Sequence, residues 1–315
     1  MAMTKSEKIW MNGHFVAWDD AKVHVLAHAL HYASSVFEGI RSYRTPHGPA
    51  IFRLGDHLER LMHSAKIYRM KLPFTGEQLE RACLETVAVN QLVECYIRPL
   101  VYRGYEHVGV NPVGTPIEVA IAAYPWGKYL GDDALTKGVA VKIGTWARMA
   151  PNTLPALAKA SGNYLNSQLL KLEAVEDGYA EAIALDVNGY VSEGSGENLF
   201  AVVKGELLTP PLHASILQGI TRETVMTLAR EREIPVRETV MPRELLYVAD
   251  ELFFSGTAVE VTPITSVDRV VVGNGEVGPV TRAIQQAFFG IVRGEQPDRH
   301  RWLTPVPQAV AAPRA

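Results

Sequence analysis

Three tight-turn dipeptides limit what this chain can fold into. Asn12-Gly13 separates Ile9-Trp10-Met11 from His14-Phe15-Val16, Asn188-Gly189 separates 181–187 from 190–193, and Lys204-Gly205 separates 199–203 from 206–208. Asn and Gly adopt the left-handed backbone that a two-residue hairpin turn requires, so each site predicts a pair of antiparallel strands. Helical periodicity lies between them. A doubly wound sheet needs strand and helix in strict alternation, and this pattern does not provide it. No G-x-G-x-x-G follows a strand and no Walker sequence is present, which removes the dinucleotide and P-loop readings.

Other elements follow from spacing. Asp56 reads as the N-cap of a helix that turns Leu58, Leu61, Ala65 and Tyr68 inward, and 76–93 as a second helix. Strands are expected at 96–102, 119–124, 139–143 and 251–255, and helices at 221–231, 244–248 and 279–293. A helix after Lys159 shows Leu165, Leu169 and Leu172 as its apolar stripe and stops at Asp177-Gly178. Pro125 to Gly131 breaks both periodicities. The expected organisation is a small domain over 1–125, a connection over 126–135, a large domain over 136–300 and a tail over 301–315, frayed after Trp302.

Composition excludes several classes of function. With 31 Lys and Arg against 34 Asp and Glu, the net charge of −3 suggests neither a nucleic-acid partner nor an anionic membrane. No signal core and no membrane-length apolar run is seen, so a cytoplasmic protein is expected. Cys83 and Cys95 read as reduced thiols, and no metal-ligand spacing occurs.

The chemistry gathers around Lys159, in Leu157-Ala158-Lys159-Ala160-Ser161-Gly162-Asn163-Tyr164. A lysine among small apolar residues loses charge on burial and becomes a nucleophile able to form a Schiff base. Gln218-Gly219-Ile220-Thr221-Arg222-Glu223 runs from a loop into a helix, where main-chain N–H groups can hold a phosphate; an ordinary capped helix fits as well. Ser255-Gly256-Thr257-Ala258 offers hydroxyls and N–H groups at a strand exit. Glu193 and Glu197 flank Gly194 and Gly196, glycines that permit close backbone approach to a ligand.

Many ordered motifs then resemble one family. They include His31-Tyr32, Ser35-Val36-Phe37-Glu38-Gly39-Ile40-Arg41, Tyr96-Ile97-Arg98-Pro99-Leu100, Tyr124-Pro125-Trp126-Gly127, Ala158-Lys159 and Gly162-Asn163-Tyr164-Leu165. Further along come Glu193-Gly194, Gly196-Glu197-Asn198-Leu199-Phe200, Gly219-Ile220-Thr221-Arg222, Ser255-Gly256-Thr257-Ala258 and Trp302-Leu303-Thr304-Pro305-Val306. The chain resembles the class IV (fold type IV) pyridoxal-phosphate aminotransferases, most closely those acting on branched-chain amino acids. The resemblance implies an α+β fold with a smaller N-terminal α/β domain and a larger cofactor-binding domain built on a β-barrel-like core. It also implies a homodimer or an assembly of dimers, with amino acids and 2-oxo acids as partners.

The roles follow by the same resemblance. Lys159 would carry the cofactor and move the substrate proton, Glu193 would face the ring nitrogen, and Tyr164 would face the phenolic oxygen. Arg60, Gly219, Ile220, Thr221 and Thr257 would hold the phosphate, with Leu217 against the ring. Tyr96, Thr257 and Ala258 would take the substrate carboxylate. Arg98, Tyr32 and Tyr129 would take a distal carboxylate, and Phe37, Trp126 and Ala258 would form an apolar wall. No metal is implied. The expected reaction moves the amino group of leucine, isoleucine or valine to 2-oxoglutarate by a ping-pong cycle. A D-amino acid or (R)-amine transaminase and a lyase of the same fold are the alternatives. Two departures bear on substrate range: Ala33-Ser34 stands where the family commonly has Gly-Thr, and the 103–109 loop is bulkier and more charged.

Overall fold

The structure is a computed structural model that describes residues 4–127, 129–131 and 133–307. Positions 128 and 132 of the expected connection and 308–315 of the expected tail lie outside the described residues. The chain forms two compact units. The first takes in residues up to Gly127, Ala158–Gly162 and the chain from Gly290 onward; the second takes in 128–157 and Asn163–Phe289.

The first unit runs β1 (Lys8–Met11), β2 (His14–Ala17), α1 (His28–Tyr32), β3 (Ser35–Phe37), β4 (Ile40–Thr45), β5 (Gly48–Phe52), α2 (Leu54–Ile67), α3 (Gly76–Val89), β6 (Cys95–Arg103) and β7 (Ile117–Pro125). Its sheet has eight strands in the order β5-β4-β6-β7-β1-β2, with β3 on β6 and a C-terminal strand, Leu303–Pro305, on the outer edge of β5. The tail is thus not frayed from Trp302 onward: Leu303 pairs with Phe52 and Thr304 with Ile51. Leu58 and Leu61 of α2 and Leu79, Cys83 and Val87 of α3 join Ile97, Val119 and Ile121 in one core. Both cysteines are buried free thiols.

Two helix ends differ from expectation. Helix α2 begins at Leu54, before Asp56; Arg53 is its N-cap in the left-handed region (φ 51). The Arg53 Nε donates to Asp56 Oδ2 at 2.6 Å, so the acid sits in the first turn, where it favours the helix dipole. Helix α3 starts with a capping box between Thr75 and Gln78 and stops at Val89, short of residue 93.

The second unit runs α4 (Ala134–Lys137), β8 (Val139–Ile143), α5 (Asn163–Glu176), β9 (Glu181–Leu185), β10 (Val191–Gly194), β11 (Asn198–Val203), β12 (Glu206–Thr209), α6 (Ile220–Arg230), β13 (Val236–Glu238), α7 (Leu245–Val248), β14 (Glu251–Gly256), β15 (Glu260–Val267), β16 (Val270–Val271) and α8 (Pro279–Val292). Nine strands form a half-barrel sheet in the order β10-β9-β8-β15-β14-β11-β12-β13, with β16 on β15. The hairpin at Lys204-Gly205 forms as the sequence predicts, whereas the one at Asn188-Gly189 forms with a longer loop: Leu185 pairs with Val191, and only Gly189 of the two turn residues is left-handed.

The stripe expected on α5 faces outward: Leu165, Leu169 and Leu172 are exposed, and Leu170 and Ala174 are enclosed instead. These two pack against Ala182 and Ala184 of β9. Small residues let the helix lie close to the sheet: a side chain at Gly144 would come within 2.4 Å of Leu170. Among the described residues no helix is long and apolar enough to cross a membrane.

Candidate functional site

In the first unit the short segment around Lys159 is held on both sides. Ala160 bridges Val36, the Phe37 N–H donates to the Lys159 carbonyl at 3.0 Å, and the Lys159 N–H donates to Ser64 Oγ of α2 at 3.0 Å. The amine lies 5.0 Å from the centroid of the Phe37 ring. Its pKa falls from 10.5 to about 8, through burial first and the Arg60 charge second, with Glu38 acting in the opposite sense. A neutral, nucleophilic fraction therefore exists near neutral pH.

Behind it is a buried polar cluster. Arg60 donates through Nε to Glu38 Oε1 at 2.7 Å and through Nη2 to Oε2 at 2.9 Å. His57 Nδ1 is 2.7 Å from the same Oε2. Arg60 and His57 hold the Glu38 carboxyl far below the usual carboxylate range, although burial works against them. Burial lowers the His57 pKa, so the ring is a neutral donor.

An aromatic group forms the other wall. The Arg98 guanidinium lies over Phe37 at 4.7 Å and over Tyr96 at 5.1 Å. The Tyr96 ring sits 4.8 Å from that of Trp126. A Cβ at Gly39 would fall 1.8 Å from the Tyr96 hydroxyl, so only glycine admits this placement. Lys159, Arg60, Phe37, Tyr96, Arg98 and Trp126 thus come together within one unit. Tyr32 lies on α1 with its ring against His28 at 4.4 Å, half exposed.

The second unit holds Glu193 at the end of β10, almost fully enclosed. Arg148 Nη2 donates to its Oε1 at 2.7 Å. Asn198 Nδ2 and the Leu217 N–H donate to Oε2 at 3.1 and 2.9 Å. The acid is thereby fixed as a carboxylate in one orientation. Tyr164 lies in the first turn of α5, partly buried. Helix α6 starts at Ile220 with Gly219 as N-cap, and glycine has no side chain to bond the first-turn N–H groups, which suits an anion there. At the exit of β14, Ser255 Oγ is buried with no hydrogen-bond partner among the described residues, just before partly buried Thr257 and Ala258. Tyr129 has Lys171 Nζ 5.4 Å from its ring centroid.

Each unit by itself carries donors suited to part of a phosphorylated aromatic aldehyde. The first unit offers an enclosed amine with a lowered pKa. The second offers a fixed carboxylate, a helix start with glycine at its N-cap and a buried hydroxyl with no hydrogen-bond partner among the described residues.

Three residues in these clusters escape sequence reasoning: Glu38, His57 and Arg148. Glu38 lies inside a quoted motif, which is a usable signal; Arg148 has none. Glu197 is buried near Glu181, and both burial and that neighbouring acid push its carboxyl well above the ordinary value. Lys171 pairs with Glu181 at 2.9 Å. The two departures also have a structural form. Ala33 ends α1 at φ 52, a conformation glycine adopts more readily. Ser34 Oγ is 2.7 Å from His28 Nδ1, and the Nε2 of that ring is 2.9 Å from the Gly109 carbonyl, which ties the bulky loop to α1.

Comparison with known proteins agrees with this geometry. The sequence model described as Amino-transferase class IV matches residues 35–267. A branched-chain-amino-acid aminotransferase of Salmonella typhimurium is 54% identical over 307 residues, covering 97% of this chain and 99% of the relative. The crystal structure of the Escherichia coli branched-chain amino acid aminotransferase superposes with a TM-score of 0.95 at 54% identity, covering 96% of this chain and all of the other. The branched-chain amino acid aminotransferase of Thermobaculum terrenum, solved in its PLP-bound holo-form, gives 0.90 at 36% identity, covering 96% and 99%. Over most of its length, and with the buried lysine and fixed carboxylate in place, this chain belongs to the class IV aminotransferases.

Proposed function

We propose that this protein is a pyridoxal-phosphate-dependent transaminase that moves the amino group of L-leucine, L-isoleucine or L-valine to 2-oxoglutarate. The observation that carries this reading is the enclosed Lys159 amine, with its pKa drawn down to about 8. When bound, the cofactor supplies an aldehyde for amines and a ring able to accept the electron pair left at the substrate Cα.

The protein supplies the rest. With the cofactor bound, Lys159 would take and move the substrate Cα proton, a task suited to an amine that is partly neutral near pH 7. Glu193, held by Arg148, Asn198 and Leu217, keeps a proton on the ring nitrogen. Tyr164 donates to the phenolic oxygen, and Leu217 packs on the ring face. Arg60, the main-chain N–H groups at Gly219, Ile220 and Thr221, and Thr257 bind the phosphate. Tyr96 and the Thr257-Ala258 backbone orient the substrate carboxylate. Phe37, Trp126 and Ala258 form the wall for a branched side chain. Arg98, with Tyr32 and Tyr129, receives the distal carboxylate of glutamate in the second half-reaction. The protein works in the cytoplasm as a homodimer or an assembly of dimers; exposed Leu30, Val108 and Val110 support a covered surface.

A substrate panel tests the reading. Glutamate is expected to form from 2-oxoglutarate with L-leucine, L-isoleucine and L-valine as donors. Turnover of D-alanine or (R)-1-phenylethylamine in their place would overturn it.

A further inference from the structure

The roles proposed for Lys159 and Arg60 leave Glu38 unexplained. Its carboxylate is fully enclosed, a costly state for a charge unless every lone pair is answered. Four donors answer it: Arg60 Nε at 2.7 Å and Nη2 at 2.9 Å, His57 Nδ1 at 2.7 Å and the Gly39 N–H at 3.2 Å. Two oxygens are therefore needed. An amide would offer only one acceptor and would turn its own N–H groups against the donors.

Placement links this cluster to the reactive lysine. Glu38 follows Phe37, whose N–H bonds the Lys159 carbonyl. Arg60 lies one helical turn before Ser64, which accepts the Lys159 N–H. The charged and titratable groups that act on the amine are Arg60 and His57 of α2, Glu38 after β3, and Tyr96 and Arg98 of β6.

We propose that Glu38 is a positioning residue of the transamination site: its two oxygens fix the plane of the Arg60 guanidinium, and its charge offsets the Arg60 charge felt by Lys159. The proposal rests on Arg60 and Lys159 serving pyridoxal phosphate.

It makes a charge-specific prediction. Without the Glu38 carboxylate, the Arg60 charge acts on Lys159 with only Tyr96 opposing it, and the amine loses its proton more easily. Without both charges, the two opposed effects disappear together. A buried ion pair replaced by apolar residues usually leaves a folded protein.

The test is competitive acetylation of the cofactor-free protein across a pH series, with Lys159 followed by mass spectrometry, alongside binding of pyridoxal phosphate and of pyridoxal. Wild type is expected to titrate at Lys159 near pH 8. Glu38→Gln is expected to weaken proton binding there about tenfold. It is also expected to weaken pyridoxal phosphate binding at least about tenfold, with no fall for pyridoxal. Glu38→Met combined with Arg60→Met is expected to return the Lys159 midpoint to within about half a pH unit of wild type while still losing phosphate affinity. An unmoved midpoint in Glu38→Gln, or an equal fall in both variants, overturns the proposal. If Glu38→Gln does not fold, the double variant decides alone, and a midpoint displaced by a full unit is contradictory. Borohydride reduction of wild type with pyridoxal phosphate separates the two layers. Label on another lysine overturns both, whereas label on Lys159 with an unmoved midpoint overturns only the role of Glu38.

Discussion

The surroundings of Lys159 and those of Glu193 carry surpluses of opposite charge. Around Lys159, Arg60 and Arg98 add to the lysine's own charge against the single carboxylate of Glu38. Around Glu193, the acids Glu181, Glu193 and Glu197 face the cations Arg148 and Lys171. In the first region the surplus is relieved by Lys159, whose proton is loosened. In the second it bears on Glu197, where burial and the neighbouring acid push the carboxyl well above its ordinary value and tighten its hold on a proton. Burial is the first cause of both shifts and the charge surplus adds to it, whereas at equally buried Glu38 the partners Arg60 and His57 outweigh burial. One surplus serves chemistry, because it makes an amine available. The other leaves Glu193 as the acid gripped by a guanidinium.

The largest effect should fall on the first region. Lys159→Ala is expected to lower turnover with L-leucine by at least about 10³-fold in a steady-state assay. Near-normal turnover would remove the functional half of the comparison.

Arg148→Met probes the second region by stranding a buried carboxylate. A loss of about 3–5 kcal/mol is expected in denaturant unfolding, with Arg148→Lys recovering part of it. A loss under about 1 kcal/mol would mean that Asn198 and the Leu217 N–H suffice to hold Glu193.

Lys159→Met asks what the loosened proton costs. The folded pKa lies below the unfolded value, so the unfolded chain binds more protons between pH 8 and 10.5, and wild-type stability rises with pH across that window. The fall from 10.5 to about 8 corresponds to about 3 kcal/mol. The cofactor-free variant should be more stable than wild type by up to that amount below pH 8. The gain should shrink as pH rises from 8 to 10.5.

Glu197→Gln probes the opposite slope. The folded pKa of Glu197 lies above its ordinary 4.5, so the folded state binds the extra proton and wild-type stability falls as pH rises above 4.5. The variant should be at least as stable as wild type at pH 7 and should lack this component of the slope. Glu38, held in the other direction, contributes stability that is lost as pH falls below 4.5. Identical slopes for Glu197→Gln and wild type would erase the contrast.

The sequence made these two regions visible to different depths. Lys159 and Glu193 are legible because each lies among small residues inside motifs that resemble the family, which outweighs the solvated-charge explanation that either residue would have alone. The hairpins at Asn12-Gly13 and Lys204-Gly205 are legible because both turn residues take the left-handed backbone that a two-residue turn requires. Glu38, His57 and Arg148 are not, and neither is the burial of Glu197, because a charged side chain looks the same in sequence whether buried or solvated. Helix α5 shows the limit of periodicity: three leucines at helical spacing mark a face, but the face that packs is set by what the sheet offers, here alanines. Asp56 shows the limit of capping rules, since Arg53 starts the helix earlier by adopting a left-handed backbone.

The most direct test of the account is borohydride reduction of the protein incubated with pyridoxal phosphate, followed by peptide mapping. The account predicts one phosphopyridoxyl group, on Lys159. A label on a different lysine, with Lys159 unmodified, would contradict it.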